Sequence, residues 1–456
     1  MSLAREDNAA METTLAQVHG EGSASTRQPR SSSRVISVDT LRGLTILLMV
    51  FVNDLGHRAP SWMRHIQPPR ADGMTLADIV FPFFLFIVGI SIPLALERAE
   101  GLGTSRWLQF GHILIRSAGL LVLGVIELNS DEDRTLGSNV WGMLAAICVI
   151  LAWCVIPRAG GWKRAVLLAL KTLGVLGLLV LLAIYRREPH TAEVPFLGSV
   201  SNWVWLRTGW WGILGLIGWA YLTVALVTLL VGRRREWLMG GLAILILLHL
   251  AVQHGGLFAR LDHKPWLGAA LPVLRSVARG VDAIGGYIGL GDAVGSLAAI
   301  TMAGCLLGSI LRRDSDIPDH RGRVRWALTF VVGQFLAGLM TDTFEGINKI
   351  AATPTWCLWC AALACALWIV LYQVMDVAGF RAWSIVVRPA GANPLIAYFL
   401  HPIVIGLVSL GGFCDRLLAY KSSHEPWVVI AGSLGMAFFV CAGTGIIARL
   451  GLRMHL

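Results

Sequence analysis

Polar side chains that suit proton transfer lie close together in the chain between Asn53 and Asp78. Two histidines, His57 and His65, fall between them. Histidine titrates near neutral pH, so it is the side chain best suited to act as a general base. A histidine oriented by Asp78 would remove a proton from a nucleophile. The simpler alternatives are that the histidines are solvated loop residues and that Asp78 stabilises a helix N-terminus.

Further polar residues interrupt apolar stretches, where an ionisable side chain is costly and marks a functional site by default. Arg116 lies within LIRSAGLLVLGVIELN and needs an anionic partner, which indicates a bound anion such as a phosphate. Asp39 and Arg42 are three residues apart and so share a helix face. A functional role for this pair and a structural role in helix capping and membrane anchoring are equal alternatives. The remaining candidates for contact with a substrate are Asp54, Asn348, Lys349, Asn393, Tyr398 and His401.

The composition predicts which kind of element positions these residues. The 456 residues are 55% hydrophobic and only 14% charged, whereas soluble domains carry about 25% charged residues. The 50 glycines and 18 tryptophans are typical of membrane helices and of their interfaces. These values exclude a soluble enzyme, a disordered chain and a disulfide-stapled secreted module. They predict a polytopic membrane protein.

Apolar runs near the length of about 20 residues that crosses a bilayer recur along the chain. We predict an all-α, polytopic bundle of about 10–12 transmembrane helices. Residues 1–34 are polar and predict a disordered cytoplasmic tail, and residues 35–456 form the transmembrane domain. The predicted spans are 41–56, 75–96, 109–128, 139–157, 165–184, 210–231, 238–254, 294–311, 324–341, 354–376, 390–411 and 427–449.

The distribution of positive charge predicts the orientation of the bundle. Of the 38 Lys and Arg residues, 22 fall in the tail and loops on the side of the N-terminus and 14 on the other side. Cytoplasmic loops carry the excess of Lys and Arg, so we expect both termini in the cytoplasm. No basic stripe or aromatic-basic module predicts nucleic-acid binding, despite the net charge of +10. The eight cysteines, which lie mostly in apolar runs, are interpreted as packing residues, and we expect no metal site.

Several segments resemble one known family. SVDTLRGLTILLMVFVN followed by MTLADIVFPFFLFIVGISIPLAL is similar to the heparan-alpha-glucosaminide N-acetyltransferase family and its bacterial relatives in amino-sugar use. IRSAGLLVLGVIELN, INKIAATPTWCLW and RPAGANPLIAYFLHPIV resemble later segments of the same family. The resemblance extends over residues 37–405.

The resemblance implies a bacterial inner-membrane enzyme that uses cytoplasmic acetyl-CoA as co-substrate. The acetyl group passes to the amine of a glucosamine-type sugar on the periplasmic side. The family's outer-end asparagine falls on Asn53, its catalytic histidine on His65 and its helix-two aspartate on Asp78. The loop after His65 is three residues longer than in the family, so His57 remains a rival for the catalytic role.

The remaining roles follow from this implied activity. Arg42 and Arg116, with Asp39 beside them, would bind the donor, whose phosphates need basic partners. His65 would act as general base and Asn53 would stabilise the oxyanion, with an acetyl-histidine relay as the alternative mechanism. Membrane lipid is a further partner, and a homodimer is left open. The competing functions are a transporter or permease for a sugar or amine and an O-acetyltransferase of a surface glycan.

Overall fold

The computed structural model describes residues 35–155, 161–188, 192–194, 198–200, 205–232, 234–258, 268, 270–412 and 414–454. The predicted tail, residues 1–34, lies outside the described residues. The helices are α1 Ile36–Asp54, α2 Leu76–Gly101, α3 Arg106–Ser130, α4 Ser138–Ala152, α5 Trp162–Ile184, α6 Gly212–Val231, α7 Arg235–Gln253, α8 Leu271–Ile288, α9 Leu297–Ile310, α10 His320–Glu345, α11 Pro354–Tyr372, α12 Arg388–Ala392, α13 Pro394–Leu410, α14 Cys414–Leu417 and α15 Pro426–Arg449. Strands β1 Ala192–Val194 and β2 Gly198–Val200 pair antiparallel, the only sheet that the described residues form.

The prediction of an all-α polytopic membrane bundle is confirmed. Among the described residues, ten helices are long and apolar enough to cross a membrane, and α4 and α13 are shorter apolar helices. Each of the twelve predicted spans overlaps one of these helices. The connection between the predicted spans 238–254 and 294–311 also contains a helix, α8. Arg275 and Arg279 interrupt its apolar pattern, which is why hydropathy alone does not reveal it.

Helix α9 lies at the centre of the bundle, because small residues allow its neighbours to approach closely. Every residue of α9 except Ser309 is buried. A Cβ atom on Gly304 would lie 1.9 Å from the backbone oxygen of Phe86, and one on Gly89 would lie 1.9 Å from that of Thr301. Close backbone approach at small residues is the usual basis of helix packing in membranes. The α2–α9 contact therefore fixes the helix that carries Asp78.

The predicted span 390–411 is interrupted by a break between α12 and α13. Pro394 lacks a backbone N–H and restricts the residue before it, so Asn393 leaves the helical conformation. Gly391 packs against α1, where a Cβ atom would lie 2.2 Å from the backbone oxygen of Asp39. The break redirects the chain so that α13 starts beside α1 and brings Tyr398 towards the bundle interior.

The helices define two ends of the bundle, named here by one residue each. At the His65 end, Asn53 of α1 and Ala77 of α2 line one cavity. At the Arg42 end, Arg42 of α1 donates a hydrogen bond to Ser91 Oγ of α2, at 2.9 Å. The two helices therefore run antiparallel, and the connection between them lies at the His65 end.

Candidate active site

His65 forms the centre of a three-residue polar cluster. Its Nδ1 atom lies 2.9 Å from Asp78 Oδ1 and 3.1 Å from Lys349 Nζ, and Lys349 Nζ lies 3.6 Å from the same carboxylate oxygen. Nδ1 has a single bonding position, so it either donates to Asp78 or accepts from Lys349. The His65 side chain is 48% exposed, whereas that of Asp78 is 1% exposed. A half-exposed imidazole held by a buried carboxylate is the arrangement that a positioned general base needs.

Asp78 combines the two roles that the sequence leaves open. It occupies the first turn of α2, where it forms a capping box with Thr75. Its Oδ2 atom accepts hydrogen bonds from Thr75 Oγ1 at 2.8 Å, from the Thr75 backbone N–H at 3.1 Å and from the Ile66 backbone N–H at 3.2 Å. Its Oδ1 atom contacts His65 Nδ1 and Lys349 Nζ. One carboxylate therefore starts the helix and also orients the imidazole.

The loop that carries His65 is docked on the loop that carries Lys349. Asn348 Nδ2 donates to the backbone oxygens of Pro69 and Ala71, both at 3.1 Å. Asp72 Oδ1 accepts from the Ile347 backbone N–H at 2.8 Å. Asn348 was predicted to contact substrate, but its amide instead joins these two loops. The function of Asn348 that the geometry supports is to place Lys349 beside His65.

The cluster opens into a cavity of about 70 Å³ between α1, α2, α6 and α13. Its polar lining consists of Asn53, His65, Lys349 and Tyr398, and the rest of the lining is apolar. An apolar cavity with a few convergent polar groups is typical of a ligand site. Among the described residues of the same loop, the exposed His57 does not line this cavity.

Glu127 of α3 holds Tyr398 at the wall of the cavity. Glu127 was not among the predicted site residues. Its Oε1 atom accepts a short hydrogen bond from the Tyr398 hydroxyl, and its Oε2 atom accepts from the Leu214 backbone N–H at 3.4 Å. The sequence does contain a signal, since Glu127 is the acidic residue of the apolar run that also holds Arg116. Glu127 therefore links α3, α6 and α13 around the site.

Asp54 and His401, predicted to contact substrate, belong to a separate cluster outside the lining of the cavity. Asp54 Oδ1 lies 2.7 Å from Lys421 Nζ and 3.5 Å from His401 Nε2, and its Oδ2 atom accepts from the Tyr420 hydroxyl. Burial and the adjacent carboxylate raise the pKa of Tyr420. Asn393 is buried at the α12–α13 break and likewise does not line the cavity, within the part of the chain that the structure describes.

A row of separate spaces lies between the cavity and the Arg42 end. We call it the seam; it lies between α2, α3 and α6. The space nearest the cavity, of about 30 Å³, begins one helical turn beyond it and is lined by Ser91, Arg116 and Tyr221, among others. Arg116 lies over the Tyr221 ring at 4.7 Å, and its buried Nε–H has no hydrogen-bond partner among the described residues.

The seam ends in a cleft at the Arg42 end, which we call the arginine cleft. Two adjoining spaces of about 280 and 320 Å³ share Thr228, Gly232 and Arg312. The other arginines of their lining are Arg106, Arg234 and Arg235. Arg42, predicted to bind the donor, does not line this cleft among the described residues. It donates a hydrogen bond to Ser91 Oγ, which lines the seam, and its Nη1 lies 3.4 Å from Asp39 Oδ1.

Comparison with known proteins shows what part of the chain is similar to. A family model described as a domain of unknown function (DUF5009) matches residues 34–196. The chain is 41% identical over 111 residues to the protein named heparan-alpha-glucosaminide N-acetyltransferase from Mus musculus. It is 41% identical over 108 residues to the protein of the same name from Homo sapiens. Over these segments the chain is similar to the heparan-alpha-glucosaminide N-acetyltransferases.

This relationship confirms the resemblance over part of the chain. The matched segments make up 24% of this chain in both comparisons. They make up 16% of the mouse protein and 15% of the human protein. The chain thus covers about a sixth of the length of the curated relatives it matches.

Proposed function

We propose that this protein is a membrane-bound acetyltransferase, which transfers the acetyl group of acetyl-CoA to the amine of a glucosamine-type sugar. The observation that carries the proposal is the position of His65. It sits in a cavity at one end of the bundle, and the separate spaces of the seam lie along the same helices between that cavity and the arginine cleft at the other end. The names of the related proteins support the reaction class.

The dimensions and charges of the seam fit acetyl-CoA. The seam follows α2 from Ala77 to Leu96, which is roughly 28 Å at 1.5 Å per residue and close to the thickness of the hydrocarbon core. Phosphates prefer arginine partners, and Arg106 and Arg234 of the arginine cleft supply them. Carboxylates of the same lining pair with the other two arginines: Arg312 with Asp314 and Glu100, and Arg235 with Asp316. Between these ends, Arg116 lines a narrow space, and its buried Nε–H, which has no partner among the described residues, is a donor that the amide-containing arm of acetyl-CoA would satisfy. This assigns the phosphates to the arginine cleft rather than to Arg42 and Arg116.

Each polar residue of the cavity described below has its own role in the proposed acyl transfer. His65, oriented by Asp78, takes a proton from the acceptor amine, which must be neutral to attack the thioester. Asn53, in the same lining, donates a hydrogen bond to the oxygen that becomes negatively charged. Tyr398, held by Glu127, contacts the sugar. If His65 is the nucleophile instead, an acetyl-imidazole forms before the sugar is acetylated.

The proposed orientation follows from the positive charges. The arginine cleft would face the cytoplasm together with both termini, and the His65 cavity would face the periplasm across a bacterial inner membrane. The donor would then bind from the side on which acetyl-CoA is made. The acetyl group, rather than the whole donor, would cross the membrane.

The test is to incubate the purified full-length protein with acetyl-CoA and glucosamine, and to measure thiol release and N-acetylglucosamine together. The proposal expects equal amounts of both products. A sugar that offers only hydroxyl groups tests the O-acetyltransferase alternative in the same assay. A permease would also contain a path through the bundle, but it would release no thiol, and that result would reject the acetyltransferase function.

A further inference from the structure

The Lys349 side chain places a primary amine in the proposed reaction site. Its Nζ atom lines the same cavity as Asn53 and lies 3.1 Å from His65 Nδ1. Burial lowers the pKa of Lys349, and the neighbouring Asp78 carboxylate opposes part of that shift. A lysine in such a site keeps a larger fraction of nucleophilic free amine than a solvated lysine.

We propose that Lys349 is itself acetylated when acetyl-CoA binds and no acceptor sugar occupies the cavity. This inference rests on the proposed function, because it requires the donor's thioester to reach the His65 cavity. The product is an amide, which is far less reactive than a thioester, so the modification is a dead end. Lys349 is therefore a site of self-inactivation that the acceptor protects.

The proton balance of this step uses the same three residues. The Lys349 ammonium passes one proton to His65 Nδ1, which then donates its N–H to Asp78. The half-exposed imidazole releases its second proton to solvent. Lys349 Nζ forms a bond to the acetyl carbonyl carbon, the carbon–sulfur bond breaks, and the leaving sulfur takes the second proton of the amine. The net products are acetyl-lysine, free coenzyme A and one proton.

Acetylation would disable the site in two ways. It removes the positive charge that lies 3.6 Å from Asp78 Oδ1, and it fills part of the cavity with the added acetyl group. Preincubation with acetyl-CoA alone should therefore cause a progressive loss of glucosamine acetylation. Glucosamine present during preincubation should prevent that loss.

The chain has five lysines, so the modification can be mapped completely: Lys163, Lys171, Lys264, Lys349 and Lys421. The purified protein is incubated with acetyl-CoA without acceptor and digested, and the acetylated fraction at each lysine is followed by mass spectrometry. We expect Lys349 to be modified at least about tenfold faster than Lys171, because its amine is held next to the donor. The rate should rise with pH as the amine loses its proton.

Two variants separate the outcomes. Lys349→Arg keeps a cation beside Asp78 and should abolish the progressive inactivation, and His65→Ala should reduce Lys349 modification to the level of Lys171. If the wild-type protein acetylates glucosamine but Lys349 reacts no faster than Lys171, the inference is wrong and the proposed function stands. If the protein neither releases thiol nor acetylates glucosamine, the proposed function fails, and the inference fails with it.

Discussion

At the scale of single residues, the distinction between His65 and His57 decides the chemistry. His65 contacts Asp78 and lines the cavity, whereas His57 is exposed outside that lining. Loss of a general base typically costs about 10²–10⁴-fold in rate. We therefore expect His65→Ala to lower kcat by that factor and to leave acetyl-CoA affinity nearly unchanged. His57→Ala is the matched control and should change kcat by less than about twofold.

Steady-state kinetics with glucosamine and a direct binding measurement with acetyl-CoA check this prediction. A larger loss for His57→Ala than for His65→Ala would mean that the loop insertion has moved the catalytic role to His57. If both variants retain wild-type turnover, neither histidine is the base.

At the scale of elements, the two docked loops control the position of Lys349 and His65. Removing the Asn348 amide in Asn348→Ala deletes two hydrogen bonds between these loops, each worth about 0.5–1.5 kcal/mol net. We expect kcat to fall about tenfold because the cluster loses its geometry. Asn139→Ala is the control, since the Asn139 amide donates to Ser409 Oγ away from the site. Equal kinetics for the two variants would show that the docking does not position the site.

The α2–α9 contact makes a prediction about stability. Gly304→Ala places a Cβ atom against the Phe86 backbone oxygen, so the two helices must separate and the thermal unfolding temperature should drop by several degrees. Gly333→Ala in α10 is the control, because a Cβ atom there meets no neighbouring atom within 4 Å. Alanine favours a helix over glycine by about 1 kcal/mol, so that variant should be as stable as the wild type or more stable. A wild-type unfolding temperature for Gly304→Ala would contradict the packing.

Element length and hydropathy predicted the twelve spans because each is a long apolar run, which a single sequence shows directly. The partners of polar residues depend on contacts between distant segments, and a single sequence does not show those contacts. Asp54 adjoins Asn53 in sequence, yet it turns away to Lys421 in a connection far along the chain. The role of Glu127 as the partner of Tyr398 is visible only in the fold, where the α12–α13 break brings the two residues together. The His65–Asp78 pair was predictable because both residues lie at one short connection.

At the scale of the whole molecule, the proposed path of the donor along the seam predicts where its charge is bound. Arg106 lines the arginine cleft, whereas Arg134 forms an exposed ion pair with Glu188 at the His65 end. Arg106→Gln should weaken acetyl-CoA binding about tenfold, because a charge-assisted hydrogen bond to phosphate is worth about 1.5–3 kcal/mol. Arg134→Gln should leave the affinity unchanged. Equal affinities for the two variants, measured by titration calorimetry, would move the phosphates elsewhere.

The central claim is that an acetyl group supplied at one face reaches an amine at the other, and sealed proteoliposomes test it most directly. Glucosamine is enclosed in the vesicles, acetyl-CoA is added only outside, and N-acetylglucosamine is measured in the washed lumen. The proposed function predicts that product accumulates inside with an equal amount of thiol released outside, and that His65→Ala vesicles form almost none. Thiol release without lumenal product, or product only when donor and sugar share one side, would contradict transfer through the seam.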